Sequence, residues 1–463
     1  MRRIALRLLA ASSLVVALLS ATTAPAATRP RYGGTLRVAM RAAPSSLDPG
    51  ASGSSDWLGS RNLSRLMFDT LVTLDNSGKP QPSLATFWQS EPSNQRWQFS
   101  IRRGIAFQDG TALTSDVVAA SLRAINPTWK VFSAGEAVII ERGSAVPNLP
   151  AELALPRNSI VRRDGGKISG TGPFAVARWD PGKKLVLTAR EDYWGGRGFV
   201  DSMEIEMGKT FRDQMIALDL GKTDVVEVAP EQVHRASVES SRVEHSEPEE
   251  LMALVFARDR QSGDDGRIRE ALALSIDRGS LNNVVMQSGG EPSSALLPNW
   301  MTGYAFVFPV NVDLARARQN LAGLRQTAPW TLGYEAADPG ARLLAERIAL
   351  NAHDAGLSLQ PTSGAADLRL VRVPLVSLNA HVALVELAES LGLSPLKFNG
   401  NSNSEDDLYA AENTLLQSQR VIPLLHLRTA SAVQTTVKDW HEARDGSWSL
   451  AEVWLGTLGT EKQ

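Results

Sequence analysis

Side chains that could carry out covalent or metal chemistry are few and dispersed in this sequence of 463 residues. It contains no Cys, and it lacks the nucleophile turn G-x-S-x-G, the zinc helix H-E-x-x-H and the phosphate loop G-x-x-x-x-G-K-[ST]. Neighbouring carboxylates such as Asp264 and Asp265 lie in a turn, where solvation explains them. The six His stand singly, at His234, His245, His353, His381, His426 and His441. The sequence therefore predicts no enzyme, no metal site and no cofactor.

Aromatic side chains suit a different task, the non-covalent binding of a small molecule in a cleft. Trp offers a large contact area at a low entropy cost, and the chain has 11 Trp among its aromatic residues. Trp57 and Trp129 lie in segments marked by Gly, Ser or Pro, and Trp300 and Tyr304 lie in a loop after two glycines. We predict that these four line a binding cleft. Packing in the core or on the surface is the alternative.

The first 26 residues have the pattern of a cleavable secretory signal peptide. Three Arg within the first seven residues precede the apolar segment 8–21 and an Ala24-Pro25-Ala26 cleavage site. A membrane anchor is the alternative, but the apolar segment is short for a span of about 20 residues. Without Cys there is no site for a lipid-modified cysteine, so a lipoprotein is excluded. We expect a free periplasmic protein in a cell with two membranes.

Composition limits the partners of the chain. It has 48 Lys and Arg against 50 Asp and Glu, and these charges are interspersed, so we expect no nucleic-acid partner. After the signal peptide no apolar stretch approaches the length of a membrane span. The length predicts two or three domains of about 100–200 residues each. We expect a soluble monomer.

The elements that would position a cleft are clearest between Ser169 and Pro230. Two apolar strands flank a turn at 180–182, and Met203 to Met207 alternates apolar and acidic residues as a half-buried strand does. A helical face follows from Phe211, then the apolar run 225–228. This order is typical of an α/β domain and by itself indicates nothing more.

The residue identities in three blocks are more specific than their pattern of apolar and polar positions. Gly170-Thr171-Gly172-Pro173-Phe174 leads to Asp192-Tyr193-Trp194-Gly195-Gly196, the segment 102–111 reads R-R-G-I-A-F-Q-D-G-T, and 267–278 carries R-x-R-E-A-L-A-L-x-I-D-R. Together these blocks resemble the family 5 extracellular solute-binding proteins, the oligopeptide, dipeptide and nickel receptors of ABC importers. The resemblance implies a small-molecule or peptide ligand and importer membrane subunits as partners.

The resemblance also implies an α/β fold of the class II periplasmic-binding-protein type, with two lobes, a hinge and an inserted extra domain. Ligand would bind between the lobes. A shortened inserted domain and a missing aromatic loop in lobe two leave an alternative open, a chaperone or sensor on the same scaffold. The implied division is 1–26 signal peptide, 27–52 lobe one, 53–165 inserted domain, 166–257 lobe one, 258–420 lobe two and 421–463 lobe one.

Five further ligand-binding candidates follow from positions within this resemblance. Arg157 matches the place where nickel-binding members hold a chelate carboxylate, although an Arg after Pro also suits a plain surface. Arg61 lies beside the first loop of lobe one, and His426 lies in a strand predicted to return to lobe one, where an ordinary strand histidine is the alternative. Thr171 and Gly172 belong to the predicted crossing between domains, where their backbone N–H groups would face the cleft.

Overall fold

The computed structural model describes residues 29–51, 57–233, 236, 242–257, 264–324, 328–336, 338–394, 396, 398 and 404–456. The predicted signal peptide lies outside these residues. Within them, no helix has the length and apolar character needed to cross a membrane.

A seven-stranded sheet forms the body that we call lobe one. Parallel pairing joins its central strand Thr35–Ala39 to both neighbours. Met203 and Ile205 are fully buried while the glutamates between them are not, as the alternation predicted. Helices Trp57–Met67 and Phe211–Asp219 accompany the sheet. The strands run in the order Phe174–Asp180, Lys184–Ala189, Ser202–Glu206, Thr35–Ala39, Val225–Val228, Ala430–Val433 and Arg242–His245.

A six-stranded sheet forms lobe two. Its strands run in the order Gly290–Pro292, Val421–Leu427, Glu250–Phe256, Leu368–Pro374, Trp330–Gly333 and Leu359–Thr362. Its helices are Asp265–Ser275, Arg278–Ser280, Asn299–Thr302, Leu314–Leu321, Pro339–Asp354, Ala380–Ser390 and Glu405–Gln417, with further single turns at Leu281–Val285 and Ala305–Val307.

Two predicted boundaries of lobe two are wrong. Strand Glu250–Phe256 was expected in lobe one, and Val421–Leu427 was expected as the return to it. Instead the two strands pair with each other along their length, as the second and third strands of the six-stranded sheet. Both strands are apolar enough to suit either sheet, and only their hydrogen-bonding partners assign them to lobe two.

A small domain precedes the second piece of lobe one. Its four-stranded sheet packs on helix Ser115–Ile125, whose first turn is capped by the Thr114 hydroxyl oxygen, which accepts a hydrogen bond from Val117 N. The core of this domain is rich in aromatic side chains, among them the buried Trp97 and Phe99. The sheet order is Ala85–Ser90, Arg96–Ile101, Ala137–Glu141 and Lys130–Ala134.

Short elements complete the described chain. Helical turns lie at Leu149–Glu152, Pro156–Asn158 and Pro230–Gln232. Two-stranded pairs join Val72–Leu74 to Pro80–Pro82, Arg162–Asp164 to Lys167–Ser169, Val437–Lys438 to Trp454–Leu455, and His441–Glu442 to Trp448–Ser449.

Candidate functional site

The chain crosses between the lobes at residues 246–249 and 428–429, which we call the crossover. Backbone hydrogen bonds tie the two crossing segments together, from Ser246 N to Thr429 O at 3.0 Å and from Glu249 N to Leu427 O at 2.9 Å. The Ser246 hydroxyl oxygen accepts a further bond from Thr429 N at 3.0 Å. Such pairing makes the crossover a narrow, ordered connection about which two lobes can move.

Lobe one, the turn after the small domain and lobe two line a partly open cavity of about 240 Å³. We call this cavity the inter-lobe chamber. It has both charged and apolar lining, as a binding site for a small polar molecule requires. The lining includes Arg65, Asp69 and Thr73 from lobe one and its following loop, Pro156, Ser377 from lobe two, and Asp445.

Asp69 is the carboxylate at one side of the inter-lobe chamber. Its two oxygens accept hydrogen bonds from the hydroxyls of Thr171 at 2.8 Å and Tyr193 at 3.0 Å, and from the indole N–H of Trp194 at 3.0 Å. Burial raises the pKa of Asp69, and these three donors oppose that effect. The carboxylate is therefore fixed in position by side chains from lobe one.

Arg65 and Asp445 form the second charged feature of the inter-lobe chamber. Arg65 Nη2 lies 3.0 Å from Asp445 Oδ2, and the Arg65 side chain stays 44% exposed. Burial would raise the pKa of Asp445, but the guanidinium groups of Arg65 and Arg61 and the donors of Ser447 outweigh burial and hold it below its usual value. Asp445 is therefore ionised, and Arg65, whose Nη1 also donates to the Ser447 hydroxyl, lines the chamber.

A model of the bacterial extracellular solute-binding proteins, family 5, matches residues 79–369, which is more than half of the chain. The chain belongs to this family. The resemblance drawn from the sequence is thereby confirmed.

Curated relatives match only part of their own length. The uncharacterized protein YhjP of Bacillus subtilis is 36% identical over 154 residues, which cover 30% of this chain and 26% of the relative. The periplasmic murein peptide-binding protein MppA of Escherichia coli is 24% identical over 56% of each chain. The chain thus spans from about a quarter to about half of the length of these relatives.

Solved structures show the same fold as this solute-binding protein. The oligopeptide-binding protein AppA of Bacillus subtilis, in complex with a nonapeptide, has a TM-score of 0.78 at 16% identity, over 93% of this chain and 100% of its own. NikA of Staphylococcus aureus, in complex with Ni(L-His)2, has a TM-score of 0.77 at 16% identity, over 91% of this chain and 99% of its own. The predicted periplasmic-binding-protein fold is confirmed.

Arg61 does not line the chamber of this solute-binding protein, contrary to our expectation. Its buried guanidinium donates to the carbonyl oxygens of Leu375, at 3.2 Å, and of Asp445, and lies 3.7 Å from Glu249 in the crossover. Burial raises the pKa of Glu249 to about 7, although Arg61 opposes that effect. Arg61 is thus a structural cation that joins helix Trp57–Met67 to the crossover.

Three other candidates also have structural roles. Trp129 packs in the core of the small domain under the guanidinium of Arg142, 4.4 Å from the ring centroid. Thr171 is fully buried and acts on the chamber only through Asp69. Gly172 packs on the backbone of Met67, to whose carbonyl it donates at 3.0 Å.

The ligand-binding candidates of lobe two also form hydrogen bonds or close contacts within the protein. Trp300 donates its indole N–H to the carbonyl of Pro248 in the crossover at 2.8 Å. Tyr304 donates its hydroxyl to Glu412 at 2.8 Å, inside lobe two. His426 is buried in strand Val421–Leu427 of lobe two, where its Nε2 lies 3.1 Å from the Leu296 carbonyl oxygen and burial lowers its pKa to about 4.

Arg157 also lies at the boundary with lobe two, where both of its terminal nitrogens contact the carboxylate of Glu386. Its predicted ligand contact stays a prediction. The side chain of Trp57 lies outside the described residues. The sequence did not indicate Arg65, Asp69 or Asp445 as site residues. It did single out the block 192–196, whose Tyr193 and Trp194 donate hydrogen bonds to Asp69.

A larger depression of about 460 Å³ lies elsewhere, on the sheet of the small domain. All of its lining residues belong to the small domain, including the exposed pair Arg103 and Glu136. We place the candidate site in the smaller inter-lobe chamber because that cavity brings charged groups together from separate parts of the fold.

Replacing Glu249 by Gln is expected to change how stability depends on pH. The pKa of Glu249 is raised from 4.5 to about 7 in the folded protein, so folding favours the protonated form. Its contribution is therefore full below about pH 4.5 and declines as the pH rises through about 7, by of the order of 3 kcal/mol at most. Denaturant unfolding of wild type and Glu249→Gln at several pH values measures the difference.

The neighbouring charges stay the same in that comparison, so the difference between the two proteins isolates Glu249. Arg61, Glu250 and Asp445 all act on this carboxyl, and Thr429 donates to it. A difference in unfolding free energy that stays constant from pH 4.5 to pH 8 would contradict a raised pKa at this position.

Proposed function

We propose that this protein is a substrate-binding receptor that captures a peptide or a similar small polar solute for an ABC importer. The inter-lobe chamber carries this proposal, because Asp69 and Arg65 face it from lobe one while Ser377 faces it from lobe two. A solute that contacts both lobes stabilises the closed arrangement, since only differential affinity for two states shifts their equilibrium. Membrane subunits of the importer would recognise that closed arrangement.

Location and partners follow from the same proposal. We infer secretion into the periplasm by the predicted signal peptide, release as a monomer, and binding rather than catalysis. The name of MppA, a periplasmic murein peptide-binding protein, supports a solute taken up outside the cytoplasm. The family description, bacterial extracellular solute-binding proteins, favours the receptor over a chaperone or sensor.

Thermal unfolding in the presence of candidate solutes tests the receptor proposal. We expect a saturable rise in Tm with at least one solute from a panel of amino acids, short peptides and metal chelates. A solute at 100 times its Kd adds about 2.7 kcal/mol to stability. Arg65→Gln is expected to weaken the response, because Arg65 lines the inter-lobe chamber.

A matched control is Arg103→Gln, which removes an exposed guanidinium from the outer depression of the small domain. This variant should respond as the wild type does. An equal loss of response in both variants would contradict the chamber as the binding site, and no response to any solute would overturn the receptor proposal.

A further inference from the structure

We propose that a contact between Leu155, Arg157, Val382 and Glu386 limits the inter-lobe chamber to solutes of amino-acid or small-dipeptide size. We call this contact the clasp. The inference rests on the proposed function and narrows it, because it excludes the longer peptides that the same fold accommodates in other proteins.

The polar half of the clasp is a two-point ion pair across the lobes. Arg157 Nη2 lies 2.6 Å from Glu386 Oε1, and Arg157 Nη1 contacts the other carboxylate oxygen. The Arg157 side chain is 34% exposed and that of Glu386 only 14%, so the pair is partly shielded from water. A parallel pair of charge-assisted bonds fixes orientation as well as distance. Opening the lobes requires both bonds to break.

The apolar half of the clasp lies beside this ion pair. Leu155 and Ala151, before the ion-paired Arg157, pack on Val382 of helix Ala380–Ser390, and all three are buried. Val382 and Glu386 are four residues apart on that helix and so share one face. Separating them from Leu155 and Arg157 exposes apolar surface at about 25 cal/mol per Å².

The residues of the clasp adjoin residues that line the inter-lobe chamber. Pro156, between the two clasp residues Leu155 and Arg157, lines the inter-lobe chamber. Val376 lines the chamber too and packs against the apolar half of the clasp. Because the same short segments form both the wall and the clasp, the chamber cannot extend in this direction while the clasp holds.

A backbone contact between the loop of hairpin 72–82 and lobe two adds a further boundary. A side chain placed on Gly78 would put its Cβ 2.3 Å from the carbonyl oxygen of Leu378, so the two backbones touch. Asn379 donates its amide to the Gly78 carbonyl at 3.3 Å. Leu378 lines the chamber, so the cavity is also confined by this contact.

The volume of the chamber sets the size of the solute. The chamber measures about 240 Å³. This is below the about 300–1,000 Å³ of sites for drug-sized ligands. A free amino acid or the smallest dipeptides match this volume, with a carboxylate facing the Arg65 guanidinium. A nonapeptide, which AppA holds in its structure, does not.

Two solute pools test the size limit by thermal unfolding of the full mature chain. One contains free amino acids and Ala-Ala, and the other contains synthetic pentapeptides and nonapeptides of the same composition. Wild type is expected to respond to the small pool alone. The double variant Val382→Ala, Glu386→Ala and the milder Glu386→Gln are expected to gain at least about tenfold in affinity for the long pool.

Glu389→Ala is the matched control, because Glu389 lies exposed on the same helix and acts on Arg157 only at a distance. It should retain the wild-type preference. Wild type responding equally to the long pool would overturn the size limit and leave the receptor proposal standing. Clasp variants that keep the wild-type preference would overturn the role of the clasp. A response to neither pool in any variant would overturn both proposals.

Discussion

Arg61→Met is expected to lower the free energy of unfolding by about 3–5 kcal/mol at pH 8, because it leaves a buried carboxylate without its cation. Glu249 lies 3.7 Å from the guanidinium and is itself buried. The carbonyl groups of Leu375 and Asp445 lose a donor in the same step. Denaturant unfolding monitored by Trp fluorescence measures the loss.

The loss should be smaller at pH 5 than at pH 8. The pKa of Glu249 is raised to about 7, so at pH 5 this carboxyl is already protonated and needs no cation. The double variant Arg61→Met, Glu249→Gln should likewise recover part of the stability at pH 8. An equal loss at both pH values would indicate that Arg61 acts through its carbonyl hydrogen bonds and through Asp445, which is ionised at both pH values, and not through Glu249.

An exposed ion pair provides the control for this charge deletion. Arg342 and Glu346 lie one helical turn apart with side chains 65% and 48% exposed. Exposed pairs of this kind contribute little to stability, because water screens the two charges. Arg342→Met should therefore leave stability nearly unchanged at either pH.

Gly172→Ala is the second change with a large expected effect. A Cβ at this position would lie 2.5 Å from the carbonyl carbon of Met67 and 2.6 Å from the nitrogen of Phe68. Both atoms belong to the backbone at the end of helix Trp57–Met67. The steric overlap is therefore relieved only if the helix end or the segment around residue 172 moves. We expect a loss of about 3 kcal/mol in unfolding free energy. Because the helix end continues into Asp69, solute affinity should fall too.

Gly143→Ala is the control for the loss of a glycine. A Cβ at Gly143 meets no atom within 4 Å, and its backbone does not require a positive φ. Its stability should be unchanged or slightly higher, since Ala restricts the unfolded chain. If both variants lose the same stability, the close approach of Gly172 to Met67 is not the cause.

Local patterns in the sequence predicted local structure well. The alternation from Met203 gave strand Ser202–Glu206, and the apolar face from Phe211 gave helix Phe211–Asp219. The turn at 180–182 joins antiparallel strands, as expected. These elements depend on periodicity and turn residues, which neighbours in sequence determine.

Partners distant in sequence were not predictable in the same way. Strands Glu250–Phe256 and Val421–Leu427 are apolar enough to suit either lobe, and their mutual pairing across about 170 residues is decided only when the sheet assembles. Several candidate residues lie away from the chamber for a related reason. Trp and Arg were chosen because their side chains can bind a ligand. Within the protein, however, Trp129 packs against Arg142, and Arg61 lies beside Glu249.

The sequence by itself determined the family, the α/β fold and the absence of recognised catalytic motifs, because each of these depends on residue order within short blocks. Tertiary structure alone decided where the chamber lies and which charges reach it. Asp69, Arg65 and Asp445 meet there from positions up to about 380 residues apart. Their contact depends on packing between distant segments, and no local pattern in the sequence records it.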